Sequence, residues 1–162
     1  MVTLRCTQKL LKRLKVGPTS ELRAPTSRLG DWYAAPFSIG HLRLVMCVSE
    51  HSLLPVFVPA RALARLVPDF REAVLALLGR LGVPAWVLQF EREQLAEVAI
   101  GRTASRSVLG SMNDFAVQGR WYVRSRPGTD LIAMALELAG APCGPLQYNR
   151  PKDAARALLG AA

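Results

Sequence analysis

Strand-like apolar runs crowd into the first 58 residues of this chain, and helical apolar stripes dominate the remainder. A chain ordered this way covers the inner face of an early sheet with helices supplied later, the pattern of an α+β domain. Residues 2–6, 31–37, 42–49 and 53–58 read as strands, the last three joined through short turns around Gly40 and His51. Leu44-Val-Met-Cys-Val48 is almost wholly apolar, which suits a central strand. Pro55 and Pro59 cannot donate to a ladder, so their strand belongs at an edge. Residues 97–102 alternate, with Val98 and Ile100 on one side, and add a short strand. The expectation is a small, mostly antiparallel sheet covered by helices, with a helical C-terminal half.

The helices carry their own punctuation. Residues 8–15 come after Thr7 as cap and place Leu10, Leu11 and Leu14 inward, with Lys9, Lys12, Arg13 and Lys15 outward. A short helix at 60–66 precedes the clearest stripe, Phe70, Val74, Leu77, Leu78 and Leu81 within 68–81, which ends at Gly82. Pro84 opens a further helix to about residue 95. Helices over 105–124, with Thr103 or Ser105 as cap, over 130–138 and over 149–160 complete the set. Residues 17–30 are rich in Pro, Ser, Thr and Gly and read as a mobile surface loop, long enough to suspect a function. At 162 residues and 51% apolar, the whole of 1–162 forms one domain with a real core.

Charge narrows the classes of partner. The chain carries 21 Lys and Arg against 12 Asp and Glu, a net +9. Arg5, Lys9, Lys12, Arg13, Lys15 and Arg23 face Glu21 alone in the first 23 residues. Arg102, Arg106, Arg120, Arg124 and Arg126 face Asp114 alone between 102 and 126. Segments of this kind favour polyanions such as nucleic acid; a soluble basic surface without a polyanionic partner is the plainer alternative. No apolar run nears the roughly 18 residues of a membrane span, and no secretory h-region opens the chain. Cys6, Cys47 and Cys143 are odd in number and scattered, which suits free thiols in a reducing cytosol.

Motifs exclude more than they assign. The two histidines, His41 and His51, sit in turns without a ligand partner at metal spacing, so no metal is expected. Neither phosphate-loop pattern occurs, no GxSxG elbow is present, and no cofactor is implied. Residues 105–116 stand out instead. Val108, Leu109, Met112, Phe115 and Ala116 make one helical face, while Arg106, Ser107, Ser111, Asn113 and Asp114 occupy the other. Ser, Asn and Asp are poor helix formers, so a solvated face would not choose them for stability. The start of this helix, with Ser105, Arg106 and Ser107, makes an anion cradle; simple capping by Ser105 is the alternative. Trp32 and Tyr33 are candidates to stack on a base, or else belong to the core and strand surface. Trp121-Tyr122 between Arg120 and Arg124 repeats the pairing of aromatics with arginine. Asp31, Glu50, His51 and Asp114 are the acid–base candidates; each alone also suits a turn, cap or surface role.

Four stretches, Leu4-Arg-Cys-Thr-Gln-Lys-Leu-Leu11, Gly30-Asp-Trp-Tyr33, Leu53-Leu-Pro-Val56 and Arg106-Ser-Val-Leu-Gly-Ser-Met-Asn-Asp114, resemble those of an uncharacterised family of small bacterial proteins, a domain of unknown function. The resemblance implies a compact bacterial cytosolic protein and carries no activity with it.

These readings converge on a basic module for nucleic acid or a nucleotide-like anion. Arg5, Lys9, Arg13, Arg106 and Arg124 would meet phosphates, Ser107 would join the ligand-binding set through the cradle at the helix start, Trp32 or Tyr33 would stack, and Asn113 with Asp114 would add polar specificity. One alternative is an enzyme on a phosphorylated or nucleic-acid substrate, with Asp31, His51 or Asp114 as acid or base. It requires Arg5, Asp31, Arg106 and Asp114 to converge in one pocket. Another is a partner for an acidic protein, which requires an exposed apolar patch. No membrane role is expected.

Overall fold

The computed structural model describes residues 1–126 and 128–161. Five strands, β1 (Val2–Cys6), β2 (Trp32–Ile39), β3 (Leu42–Ser49), β4 (Pro55–Pro59) and β5 (Val98–Arg102), form one sheet in the order β4-β3-β2-β1-β5. The helices are α1 (Gln8–Leu14), α2 (Leu66–Arg80), α3 (Ala85–Gln94), α4 (Arg106–Ser125), α5 (Leu131–Ala139) and α6 (Pro151–Leu158). Short 3-10 turns precede α2 and α6.

The α+β class holds, but the sheet is mixed. β2, β3 and β4 pair antiparallel, whereas β1 runs parallel to both β2 and β5. The physical reason is the connections. The tight turn at Gly40-His41 folds β2 onto β3, while β1 reaches β2 only after α1 and the long 17–30 segment, enough chain for a parallel crossover. Strand β4 lies at the edge, where its prolines leave no ladder donor unmet.

Register sorts the side chains into two faces. Leu4 pairs with Trp32 and Ile100, and Ala34 with Cys47, so these share one face. Helix α2 covers it, with Phe70 set edge-on to Trp32 at 5.3 Å. Leu14 of α1 borders a cleft with Leu66, Val67 and Ile100, which places α1 on the same side. Arg5, Tyr33, Phe37 and Phe57 fall on the opposite face. There α4 packs on β2 and β3, and α5 on β4. Gly119 lets α4 come close: a Cβ there would lie 3.0 Å from the Phe37 ring. The buried apolar side chains of both layers make one continuous core.

The 17–30 segment, expected as a mobile surface loop, is tied to the rest of the fold at both ends, while residues 20–24 are exposed. Thr19 donates its amide to the Ile100 carbonyl at 2.8 Å, and Thr26 donates to Met1 at 2.9 Å. Buried Glu91 of α3 accepts the Ser27 hydroxyl at 2.6 Å and the Arg28 amide at 3.3 Å. Composition marked the segment as irregular; these long-range bonds fix where its two ends lie.

Candidate functional site

Asp31 closes the pinned segment and precedes β2. It is 1% exposed. One carboxylate oxygen accepts the Thr3 amide at 2.9 Å, and the other accepts Arg5 Nε at 3.0 Å and Nη2 at 2.9 Å. A second terminal nitrogen of Arg5 donates to the Arg102 carbonyl at 3.3 Å. Arg5 thereby ties β1 to both its neighbours. This is a structural use of Asp31 and Arg5: their charges answer each other, and neither group is held open toward a substrate.

Tyr33 lies on the same face of the sheet as Arg5. Its ring is buried, and its hydroxyl oxygen accepts the Ser105 amide at 3.1 Å. Burial chiefly raises its pKa, with Glu50 adding to the effect; the Ser105 and Ala104 amides and Arg5 oppose it. The phenol therefore stays protonated and anchors the segment that opens α4. Trp32 is 0% exposed, and its indole N–H has no hydrogen-bond partner among the described residues. Neither ring offers a face to a base, so the expected stacking by Trp32 or Tyr33 is corrected: both are core.

His51 lies in the β3–β4 turn with its ring against Gly30 and its Nδ1 3.2 Å from the Arg28 carbonyl. Gly30 is in the left-handed region at φ +79°, and a Cβ would meet the ring at 2.9 Å. The histidine thus braces the chain just ahead of Asp31. Glu50 donates its amide to the Asp31 carbonyl at 2.8 Å. Asp114 is exposed on α4, where its charge adds to burial in raising the Cys143 thiol pKa. Among the described residues no hydrogen bond or ion pair joins Arg106 or Asp114 to Arg5 or Asp31.

The exposed side of α4 is different. Ser105 caps it, its hydroxyl accepting the Val108 amide at 3.2 Å. The Arg106 and Ser107 amides precede the first intrahelical bond. Arg106, Asn113 and Arg120 recur at seven-residue steps, and Val117 and Arg124 fill the same stripe, all exposed. Arg106 and Arg124 are in no ion pair among the described residues, and the Arg120 guanidinium lies 5.5 Å over Phe37. Beside this ridge stands Trp121, 72% exposed. The sequence showed Trp121 between arginines, yet held no local sign that this tryptophan, and not Trp32, would face solvent. Ser111 is buried and donates back to the Ser107 carbonyl at 3.3 Å, a packing role.

The ridge begins where the sheet changes hands. β1 continues into α1 on one face, and its parallel neighbour β5 continues into α4 on the other. In open α/β sheets, the crevice at the carboxyl ends of such diverging strands is where ligands bind. Exposed Lys9 of α1, Arg102 at the end of β5 and Arg106 of α4 belong to this end, while Arg13 lies further along α1. Among the described residues no three His, Cys, Asp or Glu gather as metal ligands, and no helix is long and apolar enough to cross a membrane.

A sequence profile of the family described as Domain of unknown function (DUF6933) matches residues 3–154, nearly the whole chain. The chain belongs to this family. No curated protein and no solved structure matches it.

Proposed function

We propose that this DUF6933 member is a basic module that binds nucleic acid along the exposed ridge of α4. One observation carries the reading: Arg106, Asn113, Arg120 and Arg124 line up on one exposed helix face beside a solvent-facing indole, with Asp114 the only acid in the helix. From Arg106 to Arg124 the ridge runs about 27 Å at 1.5 Å per residue, a length that spans several nucleotides. Lys9, Arg13 and Arg102 extend the positive field past its start, and Ser107 and Asn113 add neutral hydrogen-bonding groups. The tight closure of Arg5 on Asp31 takes both residues out of the ligand set. Binding of this kind displaces condensed counterions, so it weakens as salt rises.

Fluorescence anisotropy of a labelled single-stranded oligonucleotide, titrated with the protein at increasing KCl, tests the reading. The expected result is a linear fall of log affinity with log salt, about 0.7 per phosphate engaged. Affinity independent of salt, or none at low salt, overturns it.

A further inference from the structure

Beside the ridge, a groove of about 340 Å³ opens between α4 and α5. Val117, Trp121 and Tyr122 wall it from α4, Leu138 lines it from α5, and Gln118 and Glu137 supply polar groups. At one end Arg126 lies 4.1 Å over the Tyr122 ring and reaches Glu137 at 3.7 Å. Arg120 and Arg124 flank Trp121 in sequence and are exposed on the ridge. Arg126 and Glu137 both line the groove and pair with each other, while Arg120 and Arg124, in no ion pair among the described residues, lie on the ridge outside it.

Resting on the nucleic-acid reading, we propose that this groove receives one unpaired nucleobase, stacked on Trp121, while Arg120 and Arg124 hold the phosphates beside it. The charge arrangement selects the occupant. A phosphate entering the groove would find its one lining guanidinium, Arg126, already paired with Glu137, whereas a neutral planar ring would meet apolar walls and an indole face. Gln118 offers both a donor and an acceptor, and Glu137 an acceptor, to a base edge. A base inside a duplex has its face covered by neighbours and its edge engaged by its partner, so only an unpaired base can turn into the groove. The site therefore distinguishes single strands from duplexes, a selectivity that the arginine ridge lacks by itself.

The test compares three probes on the full chain: a labelled single-stranded oligonucleotide, the same sequence as a duplex, and inorganic polyphosphate, which has no bases. The expected result is tighter binding of the single strand than of the duplex, with quenching of tryptophan fluorescence. Trp121→Ala weakens the single-strand complex roughly ten-fold, in line with the loss of one base–aromatic stack, and leaves polyphosphate binding unchanged. Trp121→Phe retains most of the single-strand preference and loses the quench, since the remaining Trp32 and Trp86 do not line the groove. Oligonucleotide binding that is indifferent to Trp121→Ala overturns the groove while leaving the ridge reading intact. No binding of any probe overturns both. Because Trp121 is already solvent-facing, circular dichroism of the variants is expected to match the parent.

Discussion

Arg5 places two nitrogens on a single oxygen of Asp31, at 2.9 and 3.0 Å, while the other oxygen of that carboxylate takes the backbone amide of Thr3. The pair sits between β1 and the entry to β2, with Asp31 1% exposed and the Arg5 side chain 14% exposed. It joins residues 26 apart in sequence and fixes the register of the parallel pair.

Removing one partner strands the other. Asp31→Ala leaves a guanidinium and an amide without their acceptor in a buried setting. The expected loss of stability is about 3–5 kcal/mol, measured by urea denaturation. A loss under about 1 kcal/mol would mean the pair is solvated like a surface bridge.

Glu91 holds the C-terminal end of the 17–30 segment through Ser27 and Arg28. Glu91→Ala removes the acceptor for Ser27 and Arg28, a loss of about 1–3 kcal/mol for buried donors left unmet. Exposed Arg23 lies within this segment. Trypsin is expected to cut after Arg23 faster in the variant than in the parent, as read by mass spectrometry; equal rates would show that the remaining ties suffice.

Two core thiols give the fold an alkaline limit. Burial pushes the Cys6 thiol from 9.0 up to about 12, and Cys47 is raised first by burial and then by Cys6. The unfolded chain ionises both near the ordinary value. Between about pH 9 and pH 12 the folded state holds the extra protons, so stability falls as pH rises through that window. The melting temperature is expected to drop across it, with a shallower slope in the Cys6→Ala/Cys47→Ala variant. Cys143, only partly buried, should alkylate first.

Charge on α4 is expected to act through salt. Arg106→Gln and Arg124→Gln should each weaken oligonucleotide binding and reduce the salt slope by about 0.7 to 1. Trp32→Phe, a change in the core, should lower stability and leave that slope untouched.

Local signals made much of the fold legible. Thr7, Ser105 and Asp130 cap the helices that begin just after them, and Gly82 and Gly140 stand where helices end. The parallel pairing of β1 was not legible, because an alternating or apolar run looks the same whichever way its neighbour points. The ties of Asp31 to Arg5 and of Glu91 to Ser27 join distant positions that no spacing rule connects. Trp32 and Trp121 share similar neighbours, an aromatic and charged residues. Only placement separates them: one starts a central strand beneath α2, the other lies on the outer side of α4. The candidate residues Arg106, Asn113 and Arg124 could be read from helical periodicity; the groove beside them needed α5 in place.

Of the five strands of the sheet β1 is synthesised before the others, and the last of its two neighbours arrives 97 residues after Arg5, at Arg102. At roughly 5–20 residues per second on the ribosome, one side of β1 waits several seconds with its backbone groups unpaired. A nascent or truncated chain ending before β5 therefore carries an open strand edge at β1, and a chaperone would find its client there.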